Sequence, residues 1–350
     1  MKKWAVAATA ALLLLSGCSD KNKANGPGPK EPVKEVEEVD QEEVTKELPY
    51  HYPLTGVGSE TKTDGRAVAV MVNNHPKARP QSGLNKADIV YELLAEGDVT
   101  RFLAVFQSEK PENIGPVRSA RDYYIELAKG LDALFIAHGY SEEAKKMLEA
   151  GYLDNLNGMV YDGTLFKRSS DRQAPHNSYI TYENVLKGAT EKKYSMEQSP
   201  PEFKFLSEDE SKSVTGDDAK SVMVSYSTGS TFDSIYEFDD SIGKYKRYAD
   251  GVETIDLVTK EPILLDNLFI IETDHKVINE VAHKKIDLKS GGSGYLLQMG
   301  KVIEVEWKND NGLIVPVRNG EVVPFVQGKT WVNVIPTNPG LQSSVSFNVK

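Results

Sequence analysis

Cysteine is almost absent from this sequence. One thiol, Cys18, stands among 350 residues, so no disulfide can form within the chain and packing must hold the fold. Long hydrophobic runs are missing too. The most apolar stretch, Trp4 to Leu15, falls short of the roughly 20 residues that a membrane-spanning helix needs. Several catalytic signatures are also lacking. No Gly-x-x-x-x-Gly-Lys-Ser/Thr phosphate loop, Gly-x-Ser-x-Gly elbow or His-Glu-x-x-His zinc helix occurs, and cysteine metal sites are excluded by count. The histidines, His51, His75, His138, His176, His275 and His283, lie apart without ligand spacing. Neither a metal nor another cofactor is expected from them. The cluster Gly291-Gly292-Ser293-Gly294 reads as a turn or bulge.

The amino terminus carries a clear address. Lys2 and Lys3 precede the apolar run, and Leu15-Ser16-Gly17-Cys18 follows it at once. Residues 1–17 therefore read as a removable secretory signal. The ending resembles a bacterial lipobox, whose cysteine thiol receives the lipid. Two acyl chains on a diacylglyceryl-Cys18 hold a protein stably at a bilayer, where one chain does not. The expectation is a palmitate-type lipid anchor in the cell membrane, with the chain on the extracytoplasmic face of a Gram-positive envelope. Cleavage before Cys18 removes Lys2 and Lys3 and takes the net charge from −11 to −13. Such acidity argues against nucleic acid or anionic lipid as a bulk-charge partner.

Residues 18–53 hold Gly26-Pro27-Gly28-Pro29 and a Glu/Val/Lys run with little to bury, and read as a disordered tether. A flexible chain of that length spans about 30–35 Å root-mean-square. From 54 to 196 the pattern predicts an α/β domain. Ala67 to Val72 is a continuous apolar strand. Asp88–Leu94 and Val99–Gln107 form a hairpin across Glu96-Gly97-Asp98. Helices are expected over Ala120–Gly130, from the N-cap Ser141 to Gly151, and over Tyr182–Lys193, with a buried strand at Ala133–Ala137. Residues 197–218, polar and carrying Pro200-Pro201, read as the connection to a second domain. Residues 219–347 are short β-rich runs separated by turns such as Asp310-Asn311-Gly312. They predict a mostly antiparallel β domain, a small barrel or sandwich.

Arginine is distributed unevenly. Seven of the nine arginines lie between Arg66 and Arg172, in segments rich in Pro, Gly and Ser. A guanidinium fork grips carboxylate or phosphate and stays charged. Arg79, Arg101, Arg118, Arg121, Arg168 and Arg172, with His176, are the candidates for an anion or ligand site. Arg118 and Arg121 share a face if the helix begins there, and its backbone N–H groups would add to the site. Structural ion pairs with Glu92, Glu96, Asp98, Asp122 and Asp171 are the competing account of each single arginine. Asp88 and Glu92, on one strand, are expected to be solvated or paired with those arginines.

Val72 to Leu84, Ala87-Asp88-Ile89-Val90, Thr100 to Ala104, Gly115 to Arg121 and Pro175 to Tyr179 resemble the YerB-like lipoproteins of bacilli. The likeness continues through Asp287 to Gly292 and Pro324 to Trp331. It implies two domains and lipidation at Cys18, in a family described as of unknown activity. A more distant similarity, in the order of Arg101–Phe106, Arg118–Asp122 and Arg168–Gln173, is to the LytR–CpsA–Psr enzymes. These transfer glycopolymers from polyprenyl-pyrophosphate carriers, with arginines on the pyrophosphate and acidic residues on magnesium. The expected role is a binding module for an anionic envelope ligand or protein partner; the alternative is a glycopolymer phosphotransferase.

Overall fold

Alternating burial explains the central layer. In β1 (Val68–Asn73), Val68, Val70 and Val72 face one core while Ala69 and Met71 face another. A strand covered on both sides has no polar face, which is why it reads as an unbroken apolar run. The computed structural model describes residues 48–349. Its main sheet has twelve strands. Besides β1 they are β2 (Ile89–Glu96), β3 (Val99–Phe106), β4 (Leu134–Ala137), β5 (Asn155–Asn157), β6 (Asn267–Thr273), β7 (Gly292–Gln298), β8 (Lys301–Asp310), β9 (Leu313–Arg318), β10 (Glu321–Val322) and β11 (Thr330–Pro336). Asp217–Asp218 adds to β8. The order is β10-β9-β8-β7-β6-β11-β2-β3-β1-β4-β5.

The molecule is mostly β. Helices α1 (Asp122–Gly130) and α2 (Glu142–Glu149) contribute Tyr123, Tyr124, Leu127 and Leu148 to one core. The opposite core includes Val185 and Ala189 of α3 (Tyr182–Lys192). Ser141 caps α2 by accepting from the Ala144 N–H at 3.2 Å, as its position before Glu142 and Glu143 predicts. The opposite core also takes in a smaller antiparallel sheet of six strands: Ser221–Val224, Ser234–Asp239, Lys244–Ala249, Val252–Glu253, Leu264–Leu265 and Val345–Phe347.

The second half of the chain is not a barrel or sandwich of its own. Trp331 and Asn333 of β11 pair in parallel with Val90 and Glu92 of β2, so the main sheet runs without a break from one half to the other. The described residues form one compact unit. Residues 48–53, read as tether, belong to it: Tyr50–His51 pairs with Gly58–Ser59. The connection is also bound in. Phe203 is buried, its N–H donates to Pro53 O at 3.1 Å, and it meets Phe325 edge-on. Cys18, the signal and the rest of the tether lie outside the described residues.

Strands β6, β11, β2, β1, β4 and β5 all run the same way, and only β3 opposes its neighbours among them. The carboxyl ends of β1, β2, β4 and β5 therefore share one edge with the start of β3, where Arg101 sits opposite Asn73. In open α/β sheets this is the edge at which ligands gather.

Candidate functional site

The loops that leave this edge carry the chemistry. Asn73 ends β1, and its side-chain amide lies 2.9 Å from His176 Nδ1. His75 follows two residues on and its ring stands 4.5 Å from that of His176. His138 follows β4 directly, and its backbone N–H donates to Arg118 O at 2.9 Å. Arg118 itself is tied to Met71 O through its N–H at 2.9 Å. The charge of Arg118, whose side chain is half-buried, acts on all three histidines. Arg118 donates only to Pro175 O, at 3.3 Å. Its buried Nε has no partner.

The hydrogen-bond pattern fixes the state of His138. Arg168 Nη2 lies 3.0 Å from His138 Nε2, and a guanidinium can only donate. Nε2 therefore accepts, Nδ1 carries the proton, and Nδ1–H donates to Ser178 Oγ at 2.7 Å. An imidazole in this state cannot take the Ser178 proton, so the pair is not a nucleophile–base dyad. Gly158 makes room for the ring: a Cβ there would lie 2.2 Å from His138 Nδ1. Burial first, then Arg168 and Arg118, hold His138 below the ordinary histidine value, against the pull of Asp162. His75 is lowered by burial and by Lys77, Arg118 and Arg79. His176 is lowered by burial, His75, Arg118, Lys77 and Arg172.

The other candidate arginines are largely spoken for. Arg101 and Arg121, both buried, share the carboxylate of Glu96; Arg121 Nη2 reaches it at 2.6 Å. Burial alone would push Glu96 up, but Arg101, Arg121 and Arg118 hold it below the usual range. Arg121 also approaches His283 Nε2 at 3.4 Å. Arg168 forks onto Asp162 at 2.9–3.1 Å. Arg172 Nη1 donates to Ala78 O and Nη2 to Pro80 O, both at 2.7 Å, and Nη1 also donates to the Tyr179 hydroxyl at 2.8 Å. Arg79 lies toward the second sheet and donates to Thr231 O at 3.1 Å. Arg66 is structural, bonded to Asp154 at 2.6 Å.

Three sequence expectations are corrected. Helix α1 begins at Asp122, and Arg121 is its extended N-cap residue, so Arg118 and Arg121 do not share a helical face. Asp88 is buried and accepts from Ser108 N–H at 3.0 Å; burial, opposed by those bonds, pushes its carboxyl up to about 6. Glu92 is also buried, and pairs with no candidate arginine. Its partner is Arg247 of the second half, at 3.1 Å. The same carboxylate accepts from Asn74 (3.0 Å), Thr100 (2.9 Å), Ser234 (3.3 Å) and the Trp331 indole (3.1 Å). Sequence reading missed His75, His138 and the Glu92–Arg247 pair. A signal existed for each: His138 directly follows a buried strand in an α/β pattern, and Glu92 interrupts an apolar one.

Residues 54–195 match the family model described as "Protein of unknown function (DUF3048) N-terminal domain", and residues 222–332 match that of its C-terminal domain. The chain belongs to the DUF3048 family. Within that family it is 48% identical over 286 residues to "Putative lipoprotein YerB" of Bacillus subtilis (strain 168), covering 81% of this chain and 86% of that one. It superposes on the crystal structure of YerB protein from Bacillus subtilis with a TM-score of 0.79 at 46% identity, spanning 85% of this chain and 99% of the other. The DUF3048 match takes in Asn73, Glu92 and Trp331 on the main sheet and His138 just beyond β4. Among the described residues no helix is long and apolar enough to cross a membrane, and no group of three or more His, Cys, Asp or Glu is placed to hold a metal ion.

Proposed function

We propose that this protein is a membrane lipoprotein anchored through diacylglyceryl-Cys18, with its folded body on the extracytoplasmic face of the membrane. The lipobox-like Leu15-Ser16-Gly17-Cys18 and the lipoprotein name of its relative support the anchor. The body is a binding module for an anionic envelope ligand, or a protein partner that presents one, and the arginine–histidine edge is the recognition surface. One observation carries this reading. Arg118, whose charge acts on His75, His138 and His176, makes one long hydrogen bond, to Pro175 O at 3.3 Å, and among the described residues has no carboxylate within ion-pair distance, Glu96 acting on it only from farther off. A guanidinium without a carboxylate partner can take an anion on its free Nη donors.

Phosphate and pyrophosphate are the probes. At ten times its Kd a ligand stabilises the fold by about 1.4 kcal/mol, a rise in Tm of roughly 2 °C for a protein of this size. The rise should shrink with added salt. Arg118→Ala should cancel it and leave the unliganded Tm nearly unchanged. A variant that is destabilised equally with and without phosphate would show that Arg118 is structural and refute the site.

A further inference from the structure

The hydrogen bonds at the Arg118 edge locate the protons of two of its histidines. Lys77 N–H donates to His75 Nδ1 at 3.1 Å, so that nitrogen carries no proton and Nε2 does. His75 N–H donates to Asn73 Oδ1 at 2.9 Å, which leaves the amide nitrogen of Asn73 facing His176. That nitrogen donates to His176 Nδ1 at 2.9 Å, so His176 also carries its proton on Nε2. Each ring spends its acceptor on the fold and keeps its donor.

Both Nε2–H groups are available, and so is Nη2 of Arg118. None of the three has a partner among the described residues, and none is enclosed, unlike the buried Nε of Arg118. They belong to one place. The two rings stand 4.5 Å apart and 31° from parallel, and Arg118 Nη1 reaches the carbonyl of Pro175, the residue before His176. Lys77 and Arg118 act on both rings, with Arg79 on His75 and Arg172 on His176, and all four are cations. His138 is outside the set, because Arg168 already fills its Nε2.

We infer that the group bound at this edge is a tetrahedral oxyanion, a phosphate or sulfate, held by Arg118 Nη2 and by the Nε2–H groups of His75 and His176. This rests on the anion-binding reading above and narrows it to one class of ligand. A phosphate group presents oxygens in three directions, which suits three donors that come from separate segments on tilted planes. A carboxylate has two oxygens in one plane and leaves a donor unmet. With both Nδ1 acceptors occupied and no carboxylate in the set, the edge offers no oxygen ligand to a bridging magnesium ion. Two sources share this chemistry: the free ion and a phosphate ester.

Calorimetric titration of the full chain in detergent at pH 7.5 tests it, with sulfate, phosphate, glycerol 3-phosphate and malonate, a dianion made of carboxylates. Sulfate and at least one of the phosphates should bind at least tenfold more tightly than malonate, and EDTA should change nothing. Tighter glycerol 3-phosphate identifies an ester as the source; tighter phosphate identifies the free ion. His75→Phe and His176→Phe should each weaken sulfate binding at least fivefold. His75→Gln and His176→Gln, whose amide places an N–H near the position of Nε2, should lose less than threefold. Malonate binding as tightly as sulfate, with both abolished by Arg118→Ala, would overturn the inference and leave the anion-binding reading standing. So would loss of binding in EDTA, full sulfate binding by both Phe variants, or Gln variants as weak as their Phe counterparts. If none of the anions binds, both readings fall.

Discussion

Glu92 is the residue whose loss should be felt most. It is fully buried on β2 and holds five donors from both halves of the chain. Arg247 packs into this network, its guanidinium carbon 4.7 Å from the Trp331 ring and 5.2 Å from that of Phe102. Breaking a buried ion pair from one side leaves an uncompensated charge and costs about 3–5 kcal/mol, against a total stability of about 5–15 kcal/mol for a folded domain. Glu92→Gln keeps the shape and removes the charge. It should cost the upper part of that range, because Arg79 also depends on this carboxylate. Arg247→Met should cost the lower part, since four other donors still hold Glu92. With both changes no buried charge of the pair is left, and the double variant should lie within about 2 kcal/mol of the parent, a coupling of at least about 3 kcal/mol. Urea unfolding followed by tryptophan fluorescence and far-ultraviolet circular dichroism measures all four proteins. The two signals should coincide in one transition, because the main sheet is shared. Additivity of the single variants within about 0.5 kcal/mol, or separate transitions for the two halves, would refute the reasoning.

His275 donates through Nδ1 to Thr273 O at 2.9 Å, and its buried Nε2 has no partner; burial drives it down to about 4. The unfolded chain therefore binds the proton first, and stability present above pH 6.5 should fall by about 2–3 kcal/mol as pH drops to 4; His275→Asn, measured by urea midpoint against pH, should flatten that slope. At the Arg118 edge a bound anion should raise the depressed values of His75 and His176, so sulfate, whose charge is the same at both pH values, should bind more tightly at pH 5.5 than at pH 7.5, and a flat profile by calorimetry would exclude the histidines. Cys18→Ala should block processing and abolish labelling with a radioactive fatty acid; retained label would refute the anchor.

Local elements were legible where local chemistry decides them. Ser141 before two glutamates marked a helix start, and the alternating cores of β1 followed from its unbroken apolar run. Pairing across the two halves was not legible, because nothing in Thr330–Pro336 says that its neighbour is Ile89–Glu96, more than 200 residues away. β9 escaped because Pro316 cannot donate to a ladder and so argues against a strand; it sits opposite Trp307 of β8 regardless.

The arginines show the same limit at the site. Composition gathered seven of them into one region but could not separate those that hold the fold from those free to hold something else. The separation depends on which carboxylates arrive from elsewhere in the sheet. Glu96 at the end of β2 takes Arg101 and Arg121, and Asp162 takes Arg168. Glu92 turns to Arg247, a residue of the second half that no local pattern marks. Among the described residues Arg79, Arg118 and Arg172 are left without a carboxylate, and Arg172 spends its fork on Ala78 O, Pro80 O and the Tyr179 hydroxyl. Unequal pairing of equal charges with carboxylates is therefore what distinguishes a candidate ligand contact from scaffold, and substituting Arg118 should change ligand response where substituting Arg101 changes stability.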